Sequence, residues 1–579
     1  MPRQTPDPDS SQIDAPLPTG APNPEAPSPC LDDVETKGHD GVRSSSEDGN
    51  SGDHKLEYAT PVRLIIIMCT LNLSTLIAAL DLGIVATAIP QITSEFHALD
   101  HIGWYSGACF LLVATTSAPW GKMYKFFSAQ YTYITALALY LVGSIVAAAA
   151  PNSIALIVGR AIQGWGCAGT LGGSILIINF TAEPKARPML IGLWMGVFMI
   201  ATTIGPLMGG VFTSEITWRW CFWINLPVGG TAIVLQFLFL RMPKHVKPTS
   251  AAWKEILRHL DLPGWTLLLT SVVCFLLAME WGGLGKPWSS GSVIATLVVW
   301  ILLTIAFFVI EWFQGDYAIM PLRMLKPRMT WSNLLYAWIA NLANFQILFY
   351  LPIYFQSIHG MSAIKSGVNS IPFMAFYTCG ALLSGVLVGK TRHLQPFQLV
   401  SGLIAILGAA LIYRIGADAS KAWYIGAQIP FGFGIGLGNQ VPITALQGFA
   451  KPETVAATMG VAFMCQSISG AYFVAAGNSL FNNYLLKRLA TTAPHLNPQT
   501  ILAIGVSELQ NAFKGEELAL VRDAYMVGIR NVFAFALAGA ALTVVLALLV
   551  PFKKLPSHDD KRAEDKAAAR VVESQKLQA

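Results

Sequence analysis

Long apolar segments follow one another along most of the chain, separated by short polar stretches. A helix needs about 20 apolar residues to cross the ~30 Å hydrocarbon layer of a bilayer. Segments of that length occur fourteen times, so the pattern predicts an all-α polytopic membrane protein with fourteen transmembrane helices. The predicted spans are residues 64–89, 103–120, 131–150, 153–178, 189–211, 220–240, 262–280, 291–312, 331–356, 370–389, 397–416, 422–447, 455–480 and 530–551.

The composition agrees with this class and separates a tail from the spans. Hydrophobic residues make up 54% of the chain and charged residues only 12%, against about 25% charged in soluble domains. Residues 1–60 are instead rich in Pro, Ser, Asp and Glu, so we expect a disordered tail. The chain does not open with a charged segment followed by an apolar one, which argues against a cleaved signal peptide.

Lysine and arginine residues predict the orientation. With the N-terminus in the cytosol, fifteen of them fall in short inner segments and four in short outer ones, as the positive-inside rule requires. An even number of spans also places the C-terminal tail, residues 552–579, in the cytosol. The outer loop 481–529 is long, and its stretch "TILAIGVSELQNAF" predicts either an amphipathic helix on the membrane surface or an ordinary solvent-exposed helix.

Several other chemistries are not supported by the motifs present. Seven of the eight cysteines lie in or beside apolar segments without a CxxC pair, so neither a disulfide framework nor a zinc site is indicated. The stretch "SGVLVGKT" has Ser384 in place of the first glycine of a phosphate-binding loop and has no strand before it. We therefore expect no ATP, nucleic acid, metal or cofactor, and no enzymatic activity.

Two ionisable residues lie inside predicted spans. Asp81 interrupts the first span, and Arg160 lies in the fourth, within "LIVGRAIQGWGCAG". At 1.5 Å per residue, they lie about 12 Å and about 10 Å below the outer ends of their helices. Because buried charges in membranes tend to pair, we predict that Asp81 and Arg160 face each other or share a hydrogen-bonded network with Gln163.

Such a pair has two possible roles. A static ion pair would fix helix packing, whereas a switch would use the Asp81 carboxylate to bind and release a proton. Burial disfavours a charged carboxylate and a nearby cation favours it, so a conformational change that alters either changes the proton affinity. A purely structural pair can be replaced by apolar residues at no loss of stability, which favours the switch.

Two glycine-rich stretches resemble motifs of the major facilitator superfamily. Leu156, Arg160, Gln163, Gly164, Gly166 and Gly169 match the pattern of its fourth helix. In the fifth span, "GLWMGVFMIATTIGPLMGG" is similar to the motif of its antiporters, although Ala201 replaces one usual glycine. The motif residues are Gly192, Gly205, Pro206, Gly209 and Gly210.

Further stretches narrow the resemblance. "LDLGIVATAIP", "WRWCFWINLPVGG", "WGGLGKPW" and "YLPIYFQ", with the fourteen spans, resemble the fungal branch of the fourteen-span drug:proton antiporters, which includes toxin and multidrug efflux pumps. The resemblance implies the major facilitator fold, a proton-coupling role for Asp81 and Arg160, and a monomer. One departure concerns the loop after the second span, "GKMYKFFSAQ". Gly121 is kept there, but Lys125 occupies the usual acidic position, so a gating latch built on that acid is not expected.

The resemblance also implies the domain organisation. Residues 61–241 and 331–551 would form two six-helix halves, joined by residues 242–330 with a cytosolic loop and two inserted helices. A substrate site is expected near the midplane between the halves. Amides inside spans are the candidates for it, although each could instead bond a neighbouring helix. The candidates are Asn72, Asn341, Asn344, Gln346, Gln356, Gln428, Asn439, Gln440, Gln447 and Gln466.

The hypothesis that follows is a proton-driven exporter of a mid-sized amphipathic organic compound in the plasma membrane, with protons and the lipid bilayer as its other partners. A vacuolar antiporter for basic amino acids is the alternative within transport, and it would need an acidic cavity. Glu280 and Glu311 are the other acids near spans, and both lie close to helix ends. A non-transporting membrane sensor is the alternative outside transport, and it would need tails with recognisable modules.

Overall fold

The computed structural model describes residues 59–96, 102–242, 249, 251–283, 286–450, 454–495, 501 and 509–556. Nearly all of the predicted N-terminal tail, most of the C-terminal tail and most of "TILAIGVSELQNAF" lie outside these residues.

Helices account for nearly all of the described chain, with two isolated β-bridges between loop residues. A 3₁₀ turn, Gly315–Tyr317, follows α10. The helices are α1 (Pro61–Phe96), α2 (Ile102–Phe126), α3 (Ala129–Ala148), α4 (Ser153–Thr181), α5 (Arg187–Glu215), α6 (Trp220–Trp223), α7 (Asn225–Phe239), α8 (Trp253–His259), α9 (Leu262–Trp281), α10 (Gly291–Gln314), α11 (Leu322–Leu325), α12 (Arg328–Ser357), α13 (Ala363–Thr391), α14 (Gln395–Tyr413), α15 (Lys421–Asn439), α16 (Val441–Phe449), α17 (Val455–Thr492), α18 (Leu509–Ala512) and α19 (Gly515–Leu549).

Within the described residues, twelve helical segments are long and apolar enough to cross a membrane. They correspond to twelve of the fourteen predicted spans. The other two predicted spans, 103–120 and 422–447, are also helical and coincide with α2 and with α15 and α16. These helices are more polar than the twelve because they carry hydroxyl, amide and glycine residues among the apolar ones.

The ends of the long helices gather at two faces of the bundle. At one face the backbone N–H of Ala59 donates to the carbonyl of Thr181 at 3.1 Å, and that of Leu555 donates to Arg392 at 2.7 Å. We call this the terminal face, because α1 begins there and α19 ends there. At the opposite face, Arg219 bonds to Glu95 and to the carbonyl of Ala150.

Two groups of helices make up most of the packing. Helices α1 to α7 pack on one another, chiefly through the α1–α5, α3–α4 and α2–α4 pairs, and α12 to α15, α17 and α19 form a second group. The groups meet along α5 with α13 and along α2 with α17. Helices α9 and α10 pack as a pair, and α9 also contacts α2 and α17.

At the terminal face the two groups are in backbone contact. A Cβ atom on Gly121 of α2 would lie 2.7 Å from the Cα of Gly460 and 2.8 Å from the carbonyl oxygen of Ala456, both on α17. Gly385 of α13 packs in the same way on Pro188 of α5. Small residues allow helix backbones to approach this closely in a membrane, so the terminal side of the seam is closed.

Candidate functional site

The structure brings Asp81, Arg160 and Gln163 into one buried network. Arg160 Nη1 forms an ion pair with Asp81 Oδ2 and donates to Gln163 Oε1 at 2.7 Å. Gln163 Nε2 donates to Asp81 Oδ1 at 2.9 Å. Both carboxylate oxygens are therefore bonded, and all three side chains are at most 1% exposed. The predicted contact is present, and its role in proton coupling stays a prediction.

Other helices complete this network. Gln163 Nε2 also donates to Ser144 Oγ of α3 at 2.9 Å, and Asn225 Nδ2 of α7 donates to the same oxygen at 3.2 Å. Arg160 Nε donates to the carbonyl of Tyr105 on α2 at 2.8 Å. Phe222 of α6 lies 5.7 Å from the guanidinium carbon, measured to the ring centroid. Four further helices thus fix the orientation of the α1–α4 pair.

The motif of the fifth span lies next to this network. A Cβ atom on Gly205 would lie 2.7 Å from the carbonyl oxygen of Leu80 and 2.9 Å from the Cα of Gly83. A Cβ on Gly83 would in turn lie 2.8 Å from Pro206 Cδ. The α1–α5 seam is therefore made of backbone and proline ring within one helical turn of Asp81.

The remaining glycines of that motif have other contacts. Gly192 lies on the seam between α5 and α13, where a Cβ would approach the carbonyl oxygen of Ala381 to 2.7 Å. The carbonyls of Gly209 and Gly210 accept hydrogen bonds from Thr213 Oγ1 at 2.8 and 3.0 Å. The predicted antiporter motif is thus divided between two helix interfaces.

The last two turns of α2 carry a buried cation, Lys122, that sequence reasoning did not single out. Lys125 is half-buried, and its Nζ lies 5.3 Å from the Phe126 ring centroid. Lys122 is 5% exposed and donates to the carbonyls of His259 at 2.5 Å and Tyr317 at 2.7 Å. In the sequence, Lys122 was used only as one of the fifteen basic residues that predict the orientation, although its place among apolar residues at a helix end was visible.

Most of the candidate substrate-binding amides are buried. Asn341, Asn344, Gln346 and Gln440 are at most 5% exposed, and Asn72, Gln356 and Gln466 are half-buried. Two of the seven have one hydrogen bond each to a backbone carbonyl, Gln346 to Phe473 at 2.5 Å and Gln440 to Ala381 at 2.7 Å. Among these seven amides, the side-chain oxygens of Asn72, Asn344, Gln346 and Gln440 are buried and have no hydrogen-bond partner within the described part of the chain.

The three other amides considered from the sequence are buried against neighbouring helices. Gln428 Nε2 donates to the carbonyls of Asn369 and Tyr424, and Asn439 Nδ2 donates to Tyr377 Oη at 2.8 Å. Gln447 is 5% exposed. The first two therefore include the interhelical bonds that were the alternative to a ligand contact.

An aromatic cluster joins the two groups of helices at the centre of the bundle. Trp194 of α5 donates from Nε1 to Thr75 Oγ1 of α1 at 2.6 Å. Its ring meets Phe463 of α17 edge to face, with centroids 6.2 Å apart. Sequence reasoning missed Trp194, although it stands two residues after Gly192 in the motif of the fifth span.

Comparisons with known proteins agree with this architecture. The family model described as Major Facilitator Superfamily matches residues 71–474. The chain is 66% identical to "Efflux pump notK" of Aspergillus sp. (strain MF297-2) over 501 residues, which cover 86% of this chain and 89% of the relative. It is 55% identical to "Dehydrocurvularin exporter" of Alternaria cinerariae, with 92% and 93% covered.

A solved structure matches the fold. The proton:xylose symporter XylE superposes with a TM-score of 0.54 at 12% identity, covering 85% of this chain and 98% of XylE. The matched family model and the similarity to exporters show that the chain belongs to the Major Facilitator Superfamily.

Proposed function

We propose that this protein is a proton-coupled antiporter that exports a mid-sized amphipathic organic compound, of the secondary-metabolite class, across the plasma membrane. Relatives that are 55% to 66% identical over most of their length are named as an efflux pump and an exporter. The observation that carries the coupling mechanism is the buried network of Asp81, Arg160 and Gln163.

The network can bind and release one proton. While Asp81 is ionised, Arg160 and Gln163 donate to its two oxygens. Protonation neutralises the carboxylate and removes its attraction for the Arg160 guanidinium, which must then find other acceptors. Burial and the cation act on the carboxylate in opposite senses, so a change of packing along the α1–α5 seam shifts the balance between the two states.

The proposed topology has the terminal face in the cytosol and fourteen spans. The positive-inside count supports this orientation. Helices α2 and α15 support the two additional spans, because α2 packs on α4 and α17 while α15 packs on α13 and α14. Residues 61–241 and 331–551 would be the two halves, with α9 and α10 inserted between them. In this orientation the seam between the groups is closed on the cytosolic side.

The substrate chemistry follows from the central amides. Oxygens of Asn72, Asn344, Gln346 and Gln440 lack donors among the described residues, so they suit a ligand with hydroxyl or N–H groups. Trp194 and Phe463 supply aromatic surface where α5 meets α17. Such a mixture fits an amphipathic compound. A basic amino acid would need carboxylates at the site, and the acids near spans other than Asp81 are Glu280 and Glu311, which lie near helix ends.

The proposal is tested by transport in vesicles with an imposed proton gradient. Dehydrocurvularin and a fluorescent amphipathic dye serve as probes, and Asp81→Asn is compared with wild type. Gradient-driven export should fall at least tenfold in the variant, while exchange of probe without a gradient continues. Equal gradient-driven export by both proteins at every pH would overturn the coupling role of Asp81.

A further inference from the structure

A second buried group of charged side chains lies at the terminal face, away from the Asp81 network. It consists of Asp261 at the start of α9, Glu311 near the end of α10 and Lys122 near the end of α2. Asp261, Glu311 and Lys122 are 2%, 0% and 5% exposed. The group therefore joins the α9–α10 pair to helix α2, which belongs to the first group of helices.

Asp261 is held by three donors. Its backbone has a left-handed conformation, with φ of 48°, which aspartate adopts more readily than most residues. In this position Oδ1 accepts from the backbone N–H of Gly264 at 2.9 Å and from Gln314 Nε2 at 2.5 Å. Oδ2 accepts from the N–H of Ile319 at 3.0 Å. Both oxygens of the Asp261 carboxyl group therefore accept hydrogen bonds.

Glu311 has a different environment. Its Oε2 accepts from the backbone N–H of Met320 at 2.7 Å, but its buried Oε1 has no hydrogen-bond partner among the described residues. A Cβ atom on Gly264 would collide with both Asp261 Oδ2 and Glu311 Oε1, so the two carboxyl groups pack on the same glycine. Two ionised carboxylates so close together, with an oxygen of one left without a donor, are unfavourable.

Lys122 links Asp261 and Glu311 to helix α2. Its ammonium group donates to the carbonyls of His259 and Tyr317, which flank the pair on the α8 side and on the turn after α10. The preceding residue, Gly121, forms the close contact with α17 that shuts the terminal face. Because α9 packs on both α2 and α17, a separation of α2 from α17 that leaves α9 on α17 would move Lys122 away from Asp261 and Glu311.

The other charged and titratable groups around Asp261 and Glu311 are exposed or half-buried. The part of α17 nearest the terminal face, residues 455–470, contains no Asp, Glu, Lys, Arg or His. A cavity of about 420 Å³ is lined by Asp261, Arg258, Gln314 and Tyr317, so water can approach the pair from the Asp261 side. The groups that surround it are Lys125 on α2, Glu255, Arg258 and His259 on α8, and Asp316 and Tyr317 on the turn.

We propose that Glu311 is a second proton-binding residue, which holds one proton against ionised Asp261 while the terminal face is closed. This rests on the proposed proton-coupled export. In the closed state the charges of Asp261 and Lys122 balance and Glu311 is neutral, with its proton able to reach the Asp261 carboxylate. When α2 moves away, water enters, Glu311 gives its proton to the bath on the terminal side, and the pair is left with two negative charges. Protonation of Glu311 thus favours closure of the terminal face.

Infrared spectroscopy of the purified carrier tests the proton directly. The carbonyl stretch of a buried protonated carboxyl group should be present in wild type near neutral pH and absent from Glu311→Gln. Glutamine keeps the acceptor for Met320 and adds donors for Asp261, so this variant should fold. Glu280 is an exposed glutamate at the other end of α9. Glu280→Gln is therefore the matched control, and it should keep the band.

Lys122→Met is the second variant. Removing the cation stabilises the neutral form of Glu311, so the band should persist to higher pH than in wild type. A band that survives in Glu311→Gln, or that titrates identically in Lys122→Met and wild type, would overturn the proposal. Asp81→Asn should keep the Glu311 band even though it loses gradient-driven export, so failure of the proposed function and failure of this site give different results.

Transport supplies the functional readout. With the pH difference between the two baths held constant, export of dehydrocurvularin by wild type should rise as both baths are made less acid, because loss of the proton opens the terminal face. Glu311→Gln should transport but lose this dependence, and Glu280→Gln should retain it. An unchanged pH profile in Glu311→Gln would contradict the gating role.

Discussion

Gly205 on α5 lies against Gly83 on α1, two residues beyond Asp81, and neither position has room for a side chain. The position of the buried carboxylate is therefore set by direct contact between two backbones. A shift of α5 along this contact is transmitted to Asp81 without passing through flexible side chains. The glycine motif and the ion pair are for this reason parts of one structural unit.

Gly205→Ala should disturb this unit. The new methyl group would lie 2.7 Å from the carbonyl oxygen of Leu80, and overpacking of this kind costs about 1–3 kcal/mol. We expect a lower unfolding temperature in detergent and weaker gradient-driven export. Gly230→Ala on α7, where an added Cβ would meet no atom within 4 Å, is the control. Equal unfolding temperatures for the two variants would contradict the close contact.

Arg160→Lys should fail to replace the guanidinium. Arg160 donates from Nε to Tyr105 and from Nη1 to Asp81 and Gln163, and a single ammonium cannot reach all three acceptors in these directions. Each buried acceptor left without its donor costs about 1–3 kcal/mol. Gradient-driven export should fall at least tenfold and the unfolding temperature should drop. Full export by the lysine variant would show that charge alone is sufficient.

Gly121→Val should hold the terminal face open. The added side chain would force α2 away from Gly460 on α17, so the inner end of the seam should become accessible. The measurement is labelling of the native thiol of Cys465 by a water-soluble reagent added on the terminal side. Faster labelling than in wild type is expected for Gly121→Val. Gly107→Val, also on α2 but with no atom within 4 Å of an added Cβ, should label at the wild-type rate.

The length of the apolar segments was sufficient to predict the helices but not the contacts of the charged residues at their ends. Twelve predicted spans coincide with helices that meet the length and apolarity of a membrane segment, because each must bury its backbone polar groups within its own hydrogen bonds. The pairing of Asp81 with Arg160 was also predictable, since both lie at the same depth and a lone buried charge is costly.

The buried group of Asp261, Glu311 and Lys122 was not predictable in the same way. Glu311 was noted as an acid near a helix end, but Asp261 and Lys122 were not connected with it. Their contact depends on a left-handed residue at Asp261 and on two backbone carbonyl acceptors for Lys122, and neither leaves a pattern in side-chain type. The same holds for Trp194, whose bond to Thr75 spans 119 positions of sequence.

Asn344→Leu should alter substrate selection. The buried Oδ1 of Asn344 has no donor among the described residues, so a substrate hydroxyl could bond to it. The variant should raise the KM for dehydrocurvularin several-fold and leave the KM for an O-methylated analogue unchanged, because methylation removes the donor. Asn333→Leu on the same helix is the control, since Asn333 Oδ1 already accepts from Gln398 Nε2 at 2.9 Å within the protein. An equal rise for both compounds would contradict a specific hydrogen bond.

The Glu95–Arg219 pair at the opposite face should make a small, acid-sensitive contribution to stability, because its side chains are 44% and 31% exposed. Glu95 lies beyond the candidate span Pro61–Val85, and hydrogen bonds from Arg219 and Trp218 lower the pKa of its carboxyl group below the ordinary value. A lowered pKa means that the pair stabilises the folded state above the ordinary pKa of glutamate, and that this stabilisation is lost as the pH falls through the lowered value. The pair therefore persists in the mildly acid medium that a proton-driven exporter faces.

The unfolding temperature of wild type should fall with acidification, and Glu95→Gln should start lower and lose this part of the dependence. Glu215→Gln, an exposed glutamate at the end of α5 on the same face, should follow wild type, whereas parallel curves for wild type and Glu95→Gln would refute the assignment.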